Sequence, residues 1–284
     1  MRNAIVVYHA GCNDGAMAGA IFAEAAGSAY PSVAYHTGVY NKTLPPAVND
    51  SDIFLLDFSF SPDQVAELLL SNTVTVIDHH KDAVEALKKV QHENLDMLHS
   101  NIEYSGAECT YRALIGDDVP LVVRLIGDRD MWKFEYEITR DFSAGLNLLD
   151  KSHVTMQEVL NWGEAKIMET VQNGRTIGLY NAQLYKSHIK QCTRTMQIGG
   201  VYVPICNANG AFASELCEVM YDVTHPEAPF VGTYYDTAMH RCFSLRSRKG
   251  SAVLVDGIAR QYGGNGHPHA AGFKVNRDHP LAMV

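Results

Sequence analysis

Short apolar runs and longer amphipathic stretches take turns along the first part of the chain. The runs at 4–8, 33–36, 52–56 and 73–77 are too short for helices and rich in β-branched and aromatic residues, which predicts strands. The stretches at 14–26, 62–71 and 82–89 carry apolar residues at helical spacing and predict helices. This succession is the pattern of βαβ units, so the first domain is expected to be α/β with a parallel sheet. Another helix is expected over 106–115. The apolar run 120–126 fits either a buried strand or a buried helix, because periodicity does not separate the two over so short a length. From 154 to 194 the pattern is helical with one mostly polar face, weakened at Gly163, Gly174 and Gly178, and reads as a connector.

Beyond it the pattern predicts a strand region 195–206 turning at Gly199-Gly200, a helix 211–221, strands 229–235 and 241–246, a helix 251–262, a glycine-rich turn and a last strand 272–275. Thr237-Ala238-Met239 reads as a hairpin tip, which calls for an antiparallel or mixed sheet. The expected organisation is an α/β domain over 1–150, a helical connector over 151–194 and a smaller α/β domain with a mixed sheet over 195–284.

Composition supports folded cores, since 46% of the 284 residues are apolar and 19% charged. A formal charge of −9 argues against gripping long duplex nucleic acid over the whole surface, which needs many Lys and Arg to displace counterions. The six cysteines at 12, 109, 192, 206, 217 and 242 lack the paired short spacings of a zinc ribbon or a disulfide scaffold, so a reduced, cytoplasmic setting is expected. No stretch reaches the ~20 apolar residues of a spanning helix, and the first residues lack a secretory pattern, so no membrane partner is expected.

The chemistry gathers where the N-terminal runs stop. The first strand ends in His9, followed by Cys12, Asn13 and Asp14; 52–56 ends in Asp57; 73–77 runs into Asp78-His79-His80; and 120–126 ends in Gly127-Asp128-Arg129-Asp130. Ligands of open parallel sheets bind beyond the carboxyl ends of the strands. Imidazole with carboxylate suits Mn²⁺, Fe²⁺ or Co²⁺ and, less specifically, Mg²⁺. Two such ions need a bridging carboxylate, and Asp57 is the candidate because its strand lies between the other clusters. Asp14 alone would be read as a helix cap and Asp57 alone as a turn residue. Two adjacent histidines after a β-run are harder to bury without partners.

Val76-Ile77-Asp78-His79-His80-Lys81, with His9…Asp14-Gly15 and Asp57 before it, resembles the DHH phosphoesterase superfamily. Ser244-Leu245-Arg246-Ser247 and Gly263-Gly264-Asn265-Gly266-His267-Pro268-His269-Ala270-Ala271-Gly272 are similar to the DHH-associated substrate domain (DHHA1). The motifs occur in the family's order and span nearly the whole chain, although 135–195 matches nothing specific. The resemblance implies two divalent cations, Mn²⁺ foremost with Mg²⁺ or Co²⁺ as alternatives. One would be held by His9 and Asp57, the other by Asp14, Asp57, His79 and Asp128. It further implies that Asp78 orients its neighbours and that His80 faces the phosphate, these two forming the catalytic pair. The family's opening motif usually carries two carboxylates. Here Cys12 and Asn13 stand in place of the first, which makes a Cys12 thiolate a candidate ligand. Asn265 stands where glycine is usual, at a turn expected to need left-handed backbone.

Residues 241–274 hold Arg241, Arg246, Arg248, Lys249, Arg260 and Lys274 against the single acid Asp256, a local basic excess in an acidic chain. Arg246 is expected to fork onto a phosphate, with Gly264 and Gly266 offering backbone amides and His267 beside them; His269 is a lesser candidate. The resulting expectation is metal-assisted hydrolysis of phosphodiester or phosphomonoester bonds in short oligonucleotides or nucleotides. The alternatives are a phosphatase for a small molecule such as a 3′-phosphoadenosine 5′-phosphate-like or cyclic dinucleotide substrate, and a catalytically impaired nucleotide-binding module. The reading leaves room for a homodimer.

Overall fold

The apolar run near the N-terminus forms strand β1 (Asn3–His9) of a five-stranded sheet. Ala4, Val6 and Tyr8 enter one core and Ile5 and Val7 another, the alternation of a strand covered on both faces. The computed structural model describes residues 2–97 and 99–283. Helix α1 (Asn13–Ala25) follows, then β2 (Val33–Gly38), β3 (Ser51–Leu56), α2 (Pro62–Leu69), β4 (Thr73–Ile77), α3 (Lys81–Leu87) and β5 (Leu95–Asp96). The sheet order is β2-β1-β3-β4-β5 with every pair parallel, as the alternating pattern predicts. The order reverses between β1 and β3, and at such a switch point a crevice opens beyond the carboxyl ends of the strands. His9 ends β1 and Asp57 follows β3, so both lie at that crevice.

Local chemistry starts the helices where the sequence allows. Ser61 and Gln64 close a capping box on α2 with Pro62 in its first turn. Ser105 caps α4 (Gly106–Leu114). The run at 120–126 belongs to helix α5 (Leu121–Asp130), whose Val122, Val123, Leu125 and Ile126 are buried. Next come α6 (Thr139–Leu146), α7 (His153–Leu160) and α8 (Glu164–Cys192).

The connector expected over 151–194 is not a separate body. Met156, Val159, Ile167 and Val171 complete the core under α1. The chain divides instead into Met1–Gly178 and Leu179–Val284, the boundary falling within α8. Of the three glycines expected to weaken this stretch, Gly163 lies between α7 and α8, whereas the helix runs through Gly174 and Gly178. Gly174 has a packing reason to be there: a Cβ on it would come within 1.6 Å of the Asp141 carbonyl oxygen on α6.

The second unit carries β6 (Thr193–Ile198), β7 (Val201–Asn207), α9 (Ala213–Val219), β8 (Val231–Asp236), β9 (His240–Arg246), α10 (Val255–Arg260), β10 (Asn265–His267) and β11 (Ala270–Asn276). They form a sheet ordered β10-β11-β9-β8-β7-β6 in which β7 and β8 alone pair parallel, the mixed sheet the sequence predicts. Gly199 and Gly200, with φ +59° and +82°, make the two-residue turn between β6 and β7. The helix expected over 251–262 is shorter, and Asn265 lies in an extended strand. The left-handed positions around that turn are Gly263 and Gly266. Among the described residues no helix is long and apolar enough to cross a membrane.

Candidate metal centre

Two close-packed helix starts, each with a glycine, press acidic and imidazole side chains together at the carboxyl edge of the parallel sheet. Asp57 takes a left-handed backbone, φ +53°, a conformation that a residue with a Cβ holds only when its surroundings impose it. Those surroundings are visible. Its amide donates to the Ile77 carbonyl at 2.9 Å, and Gly106 at the start of α4 sits so close that a Cβ there would be 2.4 Å from the Asp57 Cβ. Gly15 plays the same part for β1, since its Cβ would fall 2.6 Å from the His9 carbonyl oxygen. The residue before it, Asp14, is thereby brought into the crevice, where both its oxygens lie 3.3 Å from the Ala107 amide of α4.

His79 Nε2 lies 3.1 Å from Asp57 Oδ1 and 3.4 Å from Asp130 Oδ2, and His9 Nδ1 lies 3.5 Å from Asp57 Oδ2. Ligand-type atoms fall into three overlapping groups, each with all atoms within 4.8 Å: His9, Cys12 and Asp57; Asp57, His79 and His80; Asp14, His79 and Asp130. Asp57 belongs to two of the groups and His79 to two. Both Asp57 oxygens and His79 Nε2 are buried, and none has a hydrogen-bond partner. Buried polar atoms left in this way call for an occupant, and acceptors of oxygen and imidazole nitrogen type aimed at common centres fit divalent cations.

The other His79 nitrogen, Nδ1, lies 3.2 Å from the Met131 sulfur. A thioether only accepts, so Nδ1 keeps its proton, and Nε2 is the nitrogen that faces the carboxylates and would bind a cation once it gives up its own proton. Asp78 is fully buried and holds its neighbours in place. It accepts from Ser59 Oγ at 2.6 Å and from the His79 and His80 amides at 2.7 and 3.1 Å, and it faces His80 Nδ1 at 2.7 Å. Burial pushes the Asp57 carboxyl up, but the imidazoles of His79 and His9 outweigh it and hold the group at about 2. Burial likewise raises Asp14, and the charges of Asp57 and Asp130 add to the shift.

Of the expected ligands, the structure brings His9, Cys12, Asp14, Asp57 and His79 together, with Asp78 and His80 beside them. Asp128 lies apart. Its carboxylate accepts from the Glu135 amide at 2.9 Å, the Tyr136 amide at 3.3 Å and the Thr139 hydroxyl, so it fixes the turn into α6. Asp130 takes its place in the cluster. The reason is helical geometry: residues two apart on α5 point to nearly opposite sides, so one of the pair faces the crevice and the other does not. Asp130 and Met131, which carry no separate signal in the sequence, thus join the site. Reading 120–130 as a helix would have separated the two aspartates.

In the second unit Arg246 donates to Ser214 Oγ at 3.0 Å and to the Leu245 carbonyl at 2.9 Å. Ala270 pairs with Arg246 on one side and His267 on the other, so Arg246 and His267 share a row across β9, β11 and β10. His269 Nδ1 meets Ser247 Oγ at 2.9 Å. Gly264 and Gly266 allow close approach to β11: a Cβ on the first would be 2.1 Å from the Gly272 carbonyl oxygen, and on the second 2.5 Å from the Ala271 Cα. Not all of the expected basic patch faces solvent. Arg241 is buried against Tyr234 and forks onto Asp236 at 2.8 and 3.0 Å, whereas Arg260 is exposed and pairs with Asp256 at 2.9 Å.

No protein-family profile matches the chain. An uncharacterized protein of Acanthamoeba polyphaga mimivirus is 25% identical over 232 residues, which are 80% of this chain and 53% of that protein. The chain thus spans about half the length of the curated relative it matches. Among solved structures, an exopolyphosphatase-related protein from Bacteroides fragilis superposes with a TM-score of 0.57 at 14% identity, covering 99% of this chain and 89% of that one. Exonuclease RecJ bound to manganese superposes with a TM-score of 0.54 at 13% identity, covering 97% of this chain and 86% of that one. The chain has the fold of these two proteins, the two-unit α/β fold that its resemblance to the DHH superfamily led us to expect.

Proposed function

We propose that this chain is a divalent-cation-dependent phosphoesterase that hydrolyses phosphodiester or phosphomonoester bonds of short oligonucleotides or nucleotides. The observation that carries the reading is the buried Asp57, whose two unpartnered oxygens sit among His9, Cys12, His79 and Asp130. His9, Cys12 and Asp57 would hold one cation, and Asp14, Asp57, His79 and Asp130 the other. Bound there, such cations supply Lewis-acid stabilisation of charge on a phosphoryl group and make water a nucleophile near neutral pH. Asp78 fixes the His80 ring through Nδ1, and the imidazole so oriented would donate to a phosphate oxygen or move a proton. Ser59 holds Asp78 in turn, so this pair keeps its orientation without help from the substrate. Arg246 and His267, which share a row across β9, β11 and β10, would anchor an anionic group of the substrate.

That one structural relative is an exonuclease bound to manganese supports the substrate class and the choice of metal. The net charge of −9 favours short substrates, because a long polyanion would be repelled by most of the surface. The deciding experiment supplies Mn²⁺ and offers 5′- and 3′-labelled dinucleotides, longer oligonucleotides, cyclic dinucleotides, 3′-phosphoadenosine 5′-phosphate and pyrophosphate. Release of mononucleotide from the dinucleotides, abolished by His79→Ala in a variant with unchanged circular dichroism, is the expected result. An unchanged rate in His79→Ala refutes the metal assignment. Tight nucleotide binding with no product from any substrate would make the chain a binding module instead.

A further inference from the structure

We propose that the two cation positions differ in kind: His9, Cys12 and Asp57 form a mixed imidazole, thiolate and carboxylate site that selects a zinc-, iron(II)- or cobalt(II)-class cation. The neighbouring position, built from Asp14, Asp57, His79 and Asp130, is hard and suits Mn²⁺ or Mg²⁺. The inference rests on reading the cluster as a metal centre and goes beyond it by assigning the donor chemistry of each position.

Cys12 is placed for this by the backbone. Gly11, at φ +66°, turns the chain between the end of β1 and the start of α1, and Cys12 stands at the helix N-cap. An N-cap side chain ordinarily serves only the helix amides, and Cys12 is not confined to that role. Its sulfur joins His9 and Asp57 within 4.8 Å and lies 3.8 Å from Asp130 Oδ1. The independent sign that this group awaits a ligand is Asp57: Oδ2, on the His9 side at 3.5 Å, is buried and without a hydrogen-bond partner. No cysteine belongs to the other two groups, so the sulfur is particular to the position shared with His9.

Thiolate and imidazole donors favour zinc, iron(II) and cobalt(II), whereas carboxylate-rich sites favour magnesium and manganese. A single sulfur therefore biases one position of the pair and not the other. On coordination the thiol proton passes to solvent as the sulfur–metal bond forms, and no redox change is involved.

Titration of the full chain with Co²⁺, without substrate, tests the assignment by absorption. The wild type is expected to develop a near-ultraviolet sulfur-to-cobalt charge-transfer band that saturates with stoichiometric metal. In Cys12→Ser the band should vanish while visible ligand-field absorption persists. Cys12→Asp, which turns the position all-hard, should shift the ratio of Mn²⁺ to Zn²⁺ affinity toward manganese by roughly tenfold or more, the scale of ligand-shell changes. Ligand-field absorption without a charge-transfer band, or a band that survives in Cys12→Ser, overturns the thiolate assignment and leaves the metal centre standing. If no cobalt binds at all, both readings fall.

Discussion

Burial alone would strip the proton from the His79 imidazole, yet the carboxylates of Asp57, Asp130 and Asp14 around it hold the group up to about 10. A metal ligand must present a neutral nitrogen, so a cation entering between His79 and these carboxylates has to expel that proton. The sign follows directly. Below about pH 10 the proton competes with the cation, and apparent affinity should rise with pH, His79 alone contributing up to about tenfold per pH unit through its one proton. Asp57, held at about 2, is already ionised over this range and adds nothing to the slope. Calorimetric titration with Mn²⁺ in buffers of different ionisation heat should show this release, and the affinity should climb between mildly acidic and mildly alkaline pH. An affinity flat across that interval would remove His79 from the ligand set.

Two glycines at helix starts set the geometry on which those residues depend. Gly106 and Gly15 let α4 and α1 approach Asp57 and His9 closer than a Cβ permits. Gly106→Ala should therefore destabilise the fold by about 1–3 kcal/mol, the usual scale of forced overpacking, and weaken Mn²⁺ binding with it. Gly257→Ala is the control: it lies on α10 with no atom within 4 Å of a built Cβ, and it should stabilise by about 0.5–1 kcal/mol. Denaturation and metal titration of both variants decide the point, and equal metal affinity in Gly106→Ala and wild type would contradict it.

The hairpin of β8 and β9 makes a second prediction. Arg241 and Arg277 beside Asp236 hold its carboxyl down to about 2. The ordinary value is about 4, so the stabilisation is full above that pH and fades as pH falls through about 2. Asp236→Asn should be less stable at neutral pH and lose less on acidification, as thermal melts across that range would show. Equal acid sensitivity in the two proteins would mean the pair does not couple to folding.

At this scale the sequence was legible where one signal dominates. Strand runs buried on both faces and the ends that carry His9, Asp57 and the Asp78-His79-His80 triplet could be read because each is a local pattern. The run ending in Asp128 and Asp130 could not. Its strand or helix character decides which aspartate faces the crevice, and that depends on the packing of α5 against α4 and α6 rather than on local sequence. The same holds for Arg241, whose charge reads as part of a basic patch until the register of β8 against β9 sets it beside Asp236.

For the molecule as a whole, charge distribution argues for the size of substrate. The chain carries −9 overall, while the end of β9 and the turn after it hold Arg246, Arg248 and Lys249. These three cations can displace counterions from only a few phosphates. The logarithm of KM for a dinucleotide should thus rise with the logarithm of salt concentration with a slope of no more than about 1.4, at ~0.7 for each of at most two phosphates. If Arg246 anchors the substrate as proposed, Arg246→Ala should raise KM and reduce that slope by about 0.7 while leaving kcat nearly unchanged, because an anchoring contact is equal in the ground and transition states. Steady-state kinetics at several salt concentrations, with oligonucleotides of increasing length, measure all of these together. A steep slope with faster turnover of long strands would mean that the acidic surface does not select for length and that the substrate lies along a more extended path. A fall in kcat alone for Arg246→Ala would move that arginine from anchoring the substrate to stabilising the transition state.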